Sequence, residues 1–312
     1  MENKVWVSSS PHIHSGEKVN VIMRDVLIAL TPATIAGVYI FGLPALKTIL
    51  LAVFAAVATE FLIQKYMLKT KPTISDLSAV VTGLLLAFNL PAGAPWYLPV
   101  IGSFFAIAIV KQVFGGLGHN FINPALAARA FLMASWPIAM TTWPVPFSDG
   151  ITAATPLAIL KGSAEGPLPS LTHALIGNVG GCIGETSVLL ILLGGLYLVY
   201  RGVINIKVPL MFIASAFVFG FLFYGFDVTA AFYQIAVGGL MLGAFFMATD
   251  YASTPTTLKG HLIFAFGCGL ITMVIRKFGG YPEGVSYSIL LMNVVTPLID
   301  KYVQPKVFGG GK

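Results

Sequence analysis

Apolar residues in this chain do not alternate or mark one helical face. They run unbroken for stretches of about 20 residues, separated by short polar or Gly- and Pro-rich breaks. A run of that length crosses the ~30 Å hydrocarbon core of a bilayer as an α-helix, which satisfies its own backbone polar groups. Ten such segments are predicted, at roughly 22–42, 46–64, 76–90, 96–113, 122–140, 180–200, 208–225, 229–249, 260–275 and 285–303. The third is short and bracketed by Pro72 and Pro91, and the linker Pro167 to Gly181 has the make-up of a re-entrant half-helix. The expected fold is all-α and polytopic: a tail over 1–20, one transmembrane domain over 21–303 and a tail over 304–312.

Composition supports lipid as the solvent. Of 312 residues, 57% are hydrophobic and 10% charged, against about 25% charged in soluble domains. The net charge of +6 does not point to nucleic acid, because the 18 basic residues fall singly between apolar runs. With the N-terminus inside, the inside segments hold 13 of them, Lys111 included, and the outside segments hold Lys47, Lys161, Arg276 and Lys277. That bias places both termini in the cytoplasm and the chain in the inner membrane. The pair Arg276–Lys277 fits poorly at the end of the ninth span. The polar start, Met1 to Lys18, lacks the apolar stretch and cleavage site of a signal peptide.

The same topology leaves one long outside loop, Thr141 to Ser170, and long loops on compact scaffolds often carry function. It contains Asp149-Gly150-Ile151-Thr152-Ala153-Ala154-Thr155-Pro156, in which small neighbours leave a threonine hydroxyl unshielded. A second constellation, Gly115-Gly116-Leu117-Gly118-His119-Asn120-Phe121-Ile122-Asn123-Pro124, reads as a glycine break followed by a helix start. Asn123 would be its N-cap and Pro124 its first residue. No strand precedes these glycines, which excludes a dinucleotide fingerprint. Glu60, Arg129 and Asp250 are ionisable groups at membrane depth, where they are costly and face partners or cavities. Arg129 is placed to pair with Glu60 or to neutralise an anion near the loop. Asp250 opens a hydroxyl-rich stretch, Asp250 to Thr257, which reads as capping of a broken helix or as the edge of a ligand site. The glycine break and this stretch stand at matching places in the two halves, a pattern of transporter-like repeats. Cys182 and Cys268 are too few for an iron–sulfur cluster, and His12 and His14 offer too few ligands for a metal.

The loop motif resembles the flavin-attachment site of the D subunit of Rnf ion-translocating complexes and of the B subunit of sodium-pumping NADH:quinone reductases. Asp149, Thr152, Ala154 and Thr155 fit the motif, while Ala153 stands where glycine is usual. The glycine-break motif and the Asp250 stretch are similar to the same family, and the first more distantly to the urea-channel superfold. The resemblance implies FMN joined to Thr155 by a phosphoester, made by a flavin transferase outside the cytoplasm. It implies a possible second, non-covalent flavin such as riboflavin beside Asp250. It also implies a subunit, not catalytic alone, that passes electrons between the ferredoxin and NAD ends of a complex exporting sodium or protons. The competing reading is a small-solute channel or transporter. That reading explains broken helices but gives no use for the Thr155 loop.

Overall fold

The computed structural model describes residues 18–147, 154–166, 168–185, 187–281 and 283–304. Both predicted tails, apart from a few residues at their inner edges, and with them His12 and His14, fall outside these. The described residues form helices and no named strand, with one isolated bridge between Pro91 and Cys182. The first helix, α1 (Val19–Leu62), holds the first two predicted segments in 44 residues. At 1.5 Å per residue that is about 66 Å, twice the depth of the hydrocarbon core. The run is interrupted at Gly42 (φ 67°, ψ −150°), a conformation open to glycine, with Pro44 just beyond. The helix α2 (Ser78–Phe88) and α3 (Tyr97–Phe104, continued by π-helical turns to Gln112) follow. Next come α4 (Pro124–Ser135), α5 (Pro137–Met140), α6 (Pro156–Leu160) and α7 (Leu171–Ile176). The second half comprises α8 (Val188–Tyr200), α9 (Lys207–Phe223), α10 (Val228–Ala236), α11 (Leu240–Leu242, continued to Met247), α12 (Leu258–Phe278) and α13 (Val285–Tyr302).

Helix occupies each of the ten predicted segments, but many of the helices are shorter than a bilayer is thick. Among the described residues Val19–Met67 and Leu258–Phe278 are long and apolar enough to cross alone, and Val228–Ala236 with Leu240–Met247, bent by 64°, forms a broken span or a re-entrant loop. The shorter apolar helices include α2 and α4, whose 11 and 12 residues reach about 16–18 Å, roughly half the hydrocarbon depth. Asn89-Leu90-Pro91 ends α2, Asn123-Pro124 starts α4 and Trp136-Pro137 ends it. The predicted re-entrant segment holds only the six-residue α7. The chain then runs on irregularly into the core, where Cys182 and Ile183 are buried and the Ile183 N–H donates to the Leu90 carbonyl. This satisfies backbone groups freed by the break after α2.

The two halves pack closely. The helix α1 lies against α2, α3 and α8, and α12 against α9 and α13. At Gly269 a β-carbon would stand 1.9 Å from Ser215 Oγ, so α12 approaches α9 more closely than any side chain allows. The outer surface carries large apolar groups such as Tyr39, Leu43, Phe54 and Tyr200, which suits a lipid environment. Two charges counted as loop residues prove interior: Lys111 is 2% exposed and Arg276 is 1% exposed. Neither bears on orientation, and one drops from each side of the charge tally. Arg276 instead donates to the Gln234, Val237 and Gly238 carbonyls where α10 ends, which explains its odd position at the end of the ninth span.

Candidate functional site

A cavity of about 290 Å³ lies between α4, the α6 segment and the start of α13. Thr155 enters it as the N-cap of α6, its Oγ accepting the Ala158 N–H at 3.2 Å, and the residue is 4% exposed. Ala154 lines the same space. From α4 comes Arg129, 5% exposed, which donates to Asn89 Oδ1 at 2.7 Å and is ion-paired with Glu283. The wall also carries three aromatic residues, Trp143, Tyr281 and Tyr287. Lys161, at the C-terminal end of α6, donates to the Gly279 carbonyl and to the Tyr281 carbonyl at 2.9 Å. Desolvation there pushes its ammonium below the ordinary lysine value.

Deeper in, Cys182, Glu185 and Glu283 bring a thiol and two carboxylates within 4.8 Å of one another. Arg129 supplies the counter-charge through Glu283. One oxygen of Glu185, Oε1, is buried without a hydrogen-bond partner among the described residues.

A second cavity, about 110 Å³, lies beyond the other end of α4. It collects Asn120, Asn123 and Asp250, with Ser78 and Lys111 at one side. Asn123 caps α4 as expected, its Oδ1 accepting the Ala125 and Leu126 N–H groups at 3.1 and 3.2 Å. The glycine break before it holds Gly115, Gly116 and Gly118 at positive φ. Asp250 Oδ2 accepts the Ser253 hydroxyl at 2.8 Å, so it both caps the break and faces the cavity.

The predicted site residues therefore divide. Thr155, Ala154 and Arg129 share one cavity, and Asn123 and Asp250 share the other. Asp149 and Thr152 lie outside the described residues. The pairing of Arg129 with Glu60 is overturned: Glu60 is held by Lys111 at 2.8 Å, with Gln64 and Ser78 completing the buried network. Arg129 points toward the Thr155 cavity, where Glu283 already meets it. Glu283, Glu185, Lys111 and the two tyrosines escaped sequence reasoning. The chain has only 12 acidic residues, and Glu185 and Glu283 each open an apolar run, a position that could have flagged them.

Residues 6–309 match the NQR2, RnfD, RnfE family. Among similar proteins, the D subunit of the Na(+)-translocating ferredoxin:NAD(+) oxidoreductase complex of Acetobacterium woodii is 55% identical, covering 99% of this chain and 96% of that protein. The D subunit of the proton-translocating ferredoxin:NAD(+) oxidoreductase complex of Clostridium ljungdahlii is 49% identical, over 99% and 97%. The D subunit of an ion-translocating oxidoreductase complex of Halorhodospira halophila is 38% identical, over 96% and 94%.

Proposed function

The chain belongs to the NQR2, RnfD, RnfE family, and on that footing we propose that it is the flavin-carrying membrane subunit of a ferredoxin:NAD+ oxidoreductase complex that exports sodium ions or protons. The observation that carries the flavin assignment is the meeting, in one cavity, of a threonine hydroxyl from the attachment motif with a buried guanidinium. These residues fit FMN. Thr155 offers the hydroxyl for a phosphoester, Arg129, whose charge Glu283 balances, offers guanidinium N–H donors toward a phosphate oxygen, and the apolar walls exclude water from a ring. Bound there, FMN supplies a one-electron carrier.

Attachment requires a phosphoanhydride donor, presented by a flavin transferase on the outer face. The bond from phosphorus to Thr155 Oγ forms as the anhydride bond breaks, the donor's other phosphate leaves as a nucleoside monophosphate, and the hydroxyl proton passes to a base on the transferase. Because Thr155 is 4% exposed, the loop presents its hydroxyl to the transferase before it seats in the cavity. Arg129 is held in place by Asn89 and Glu283, so its N–H donors are already oriented when the phosphate arrives. At the other end of α4, Asn123 and Asp250 border the space we assign to a second, non-covalent flavin of the riboflavin type. The topology in this reading has both termini cytoplasmic and the Thr155 loop outside, with the remaining Rnf-type subunits covering the apolar surface not exposed to lipid.

The test is a denaturing gel of the chain expressed with its transferase. A fluorescent flavin band that vanishes in Thr155→Ala is expected. A dark wild-type band, with the transferase shown active on another substrate, favours the channel or transporter reading, which the half-length helices also accommodate.

A further inference from the structure

The charged and tether residues of the Thr155 cavity have partners within the protein: Arg129 meets Asn89 and Glu283, and Thr155 meets the Ala158 N–H. Its aromatic residues remain to be placed. Tyr281 and Tyr287 stack on each other at a centroid separation of 5.6 Å and an interplanar angle of 21°, and both line the cavity. Trp143 joins them there. Among the described residues neither phenol has a hydrogen-bond partner; Tyr281 is 43% exposed, so its hydroxyl is open to solvent, while Tyr287 is half-buried beside the cavity. Other stacked pairs, such as Phe105–Phe131, lie away from the cavity lining.

The wall is also tied to the tether point. Thr155 begins α6 and Lys161 ends it, and the Lys161 ammonium holds the Gly279 and Tyr281 carbonyls. The hydroxyl and the tyrosine pair are thus fixed to one short element, although they lie far apart in sequence.

We propose that Tyr281 and Tyr287 are the seat of the isoalloxazine ring, positioning residues that hold the ring flat against the start of α13 while Thr155 holds its phosphate. This rests on the attachment of FMN at Thr155. A planar ring gains from an offset stack on the open face of such a near-parallel pair, and the half-buried Tyr287 phenol is suited to the polar edge of the ring or its side chain. Lys161 acts through Tyr281 by keeping the seat at a set distance from the tether.

The test uses the full chain in its complex, matured by the transferase. Denatured-band fluorescence measures attachment, while native emission and visible circular dichroism of the flavin measure seating. A tyrosine in contact with an excited flavin quenches it by donating an electron and taking it back, so native wild-type emission is expected to be low. In Tyr281→Leu/Tyr287→Leu the denatured band stays full. The ratio of seated to free ring falls about 2- to 12-fold per tyrosine, raising emission and collapsing the dichroism. Tyr287→Phe keeps the dichroism, because the stacking face survives, whereas Tyr287→Leu alone lowers it. This pair tests the seat if the double leucine variant fails to fold. Unchanged native emission and dichroism in the double leucine variant, or equal dichroism in Tyr287→Phe and Tyr287→Leu, would overturn the seat while leaving attachment intact. A dark denatured wild-type band would overturn attachment itself, and the seat with it.

Discussion

The pair of Glu60 and Lys111 offers a test of how the membrane interior is held together. Lys111 Nζ lies 3.0 and 2.8 Å from the two carboxylate oxygens of Glu60 and donates to Ser78 Oγ at 2.6 Å. Gln64 Nε2 donates to the same carboxylate at 3.2 Å. Both charges are almost fully enclosed, at 2% and 1% exposure. Lys111→Met leaves the carboxylate with only the Gln64 amide, and Glu60→Gln leaves the ammonium with Ser78 and one amide oxygen. Breaking a buried pair from one side costs about 3–5 kcal/mol, because the surviving charge stays desolvated. Replacing both with apolar groups of similar volume is close to neutral. The assay is thermal unfolding in detergent of both single variants and of Glu60→Leu/Lys111→Met. At about 2–4 °C per kcal/mol, each single variant should melt roughly 6–20 °C lower, and the double variant should recover most of the loss. A double variant as unstable as the sum of the singles would refute the reasoning, since it would mean that each charge serves something other than its partner.

Asn123→Ala removes the side-chain cap of α4 and should cost about 1 kcal/mol, read as a lower melting temperature with the flavin band at Thr155 retained. Gly238→Ala forces a β-carbon into a backbone of φ 75°, 2.1 Å from Leu157 Cδ1 and 2.7 Å from Arg276 Nη2. The backbone alone costs about 1–2 kcal/mol, so melting should fall and limited proteolysis near the α10–α11 break should rise. Ser163→Cys places a thiol on an exposed position eight residues past Thr155. An impermeant maleimide added to intact cells should label it, while Cys182 and Cys268, exposed by 1% and 0%, stay silent. Labelling only after lysis would place the loop inside and end the flavin proposal.

Much of this was legible in the sequence, because each span announces itself by composition and each break by glycine, proline or a capping side chain. Asn123-Pro124 marked the start of α4, and the motif around Thr155 singled out a residue that lines a cavity. Span depth was not legible. An apolar run of given length looks the same whether its helix is long enough to cross the bilayer or, like the 11 residues of α2, ends after about half that depth. The partners of buried charges were equally hidden. Glu60 meets Lys111 across 51 positions and Arg129 meets Glu283 across 154, and apolar sequence between them says nothing about which ends converge. Lys111 and Arg276 were misread because a cation at the end of an apolar run resembles an anchor in the headgroups until its exposure is known.

The shortness of α4 has an electrical consequence. Asn123 borders one cavity and Arg129 the other, six positions apart on the same helix, which is about 9 Å of rise. On the proposed topology, a charge moving from one cavity to the other covers about a third of the ~30 Å of hydrocarbon. In a uniform field it then takes up about a third of the ~2.3 kcal/mol per charge that each 100 mV supplies.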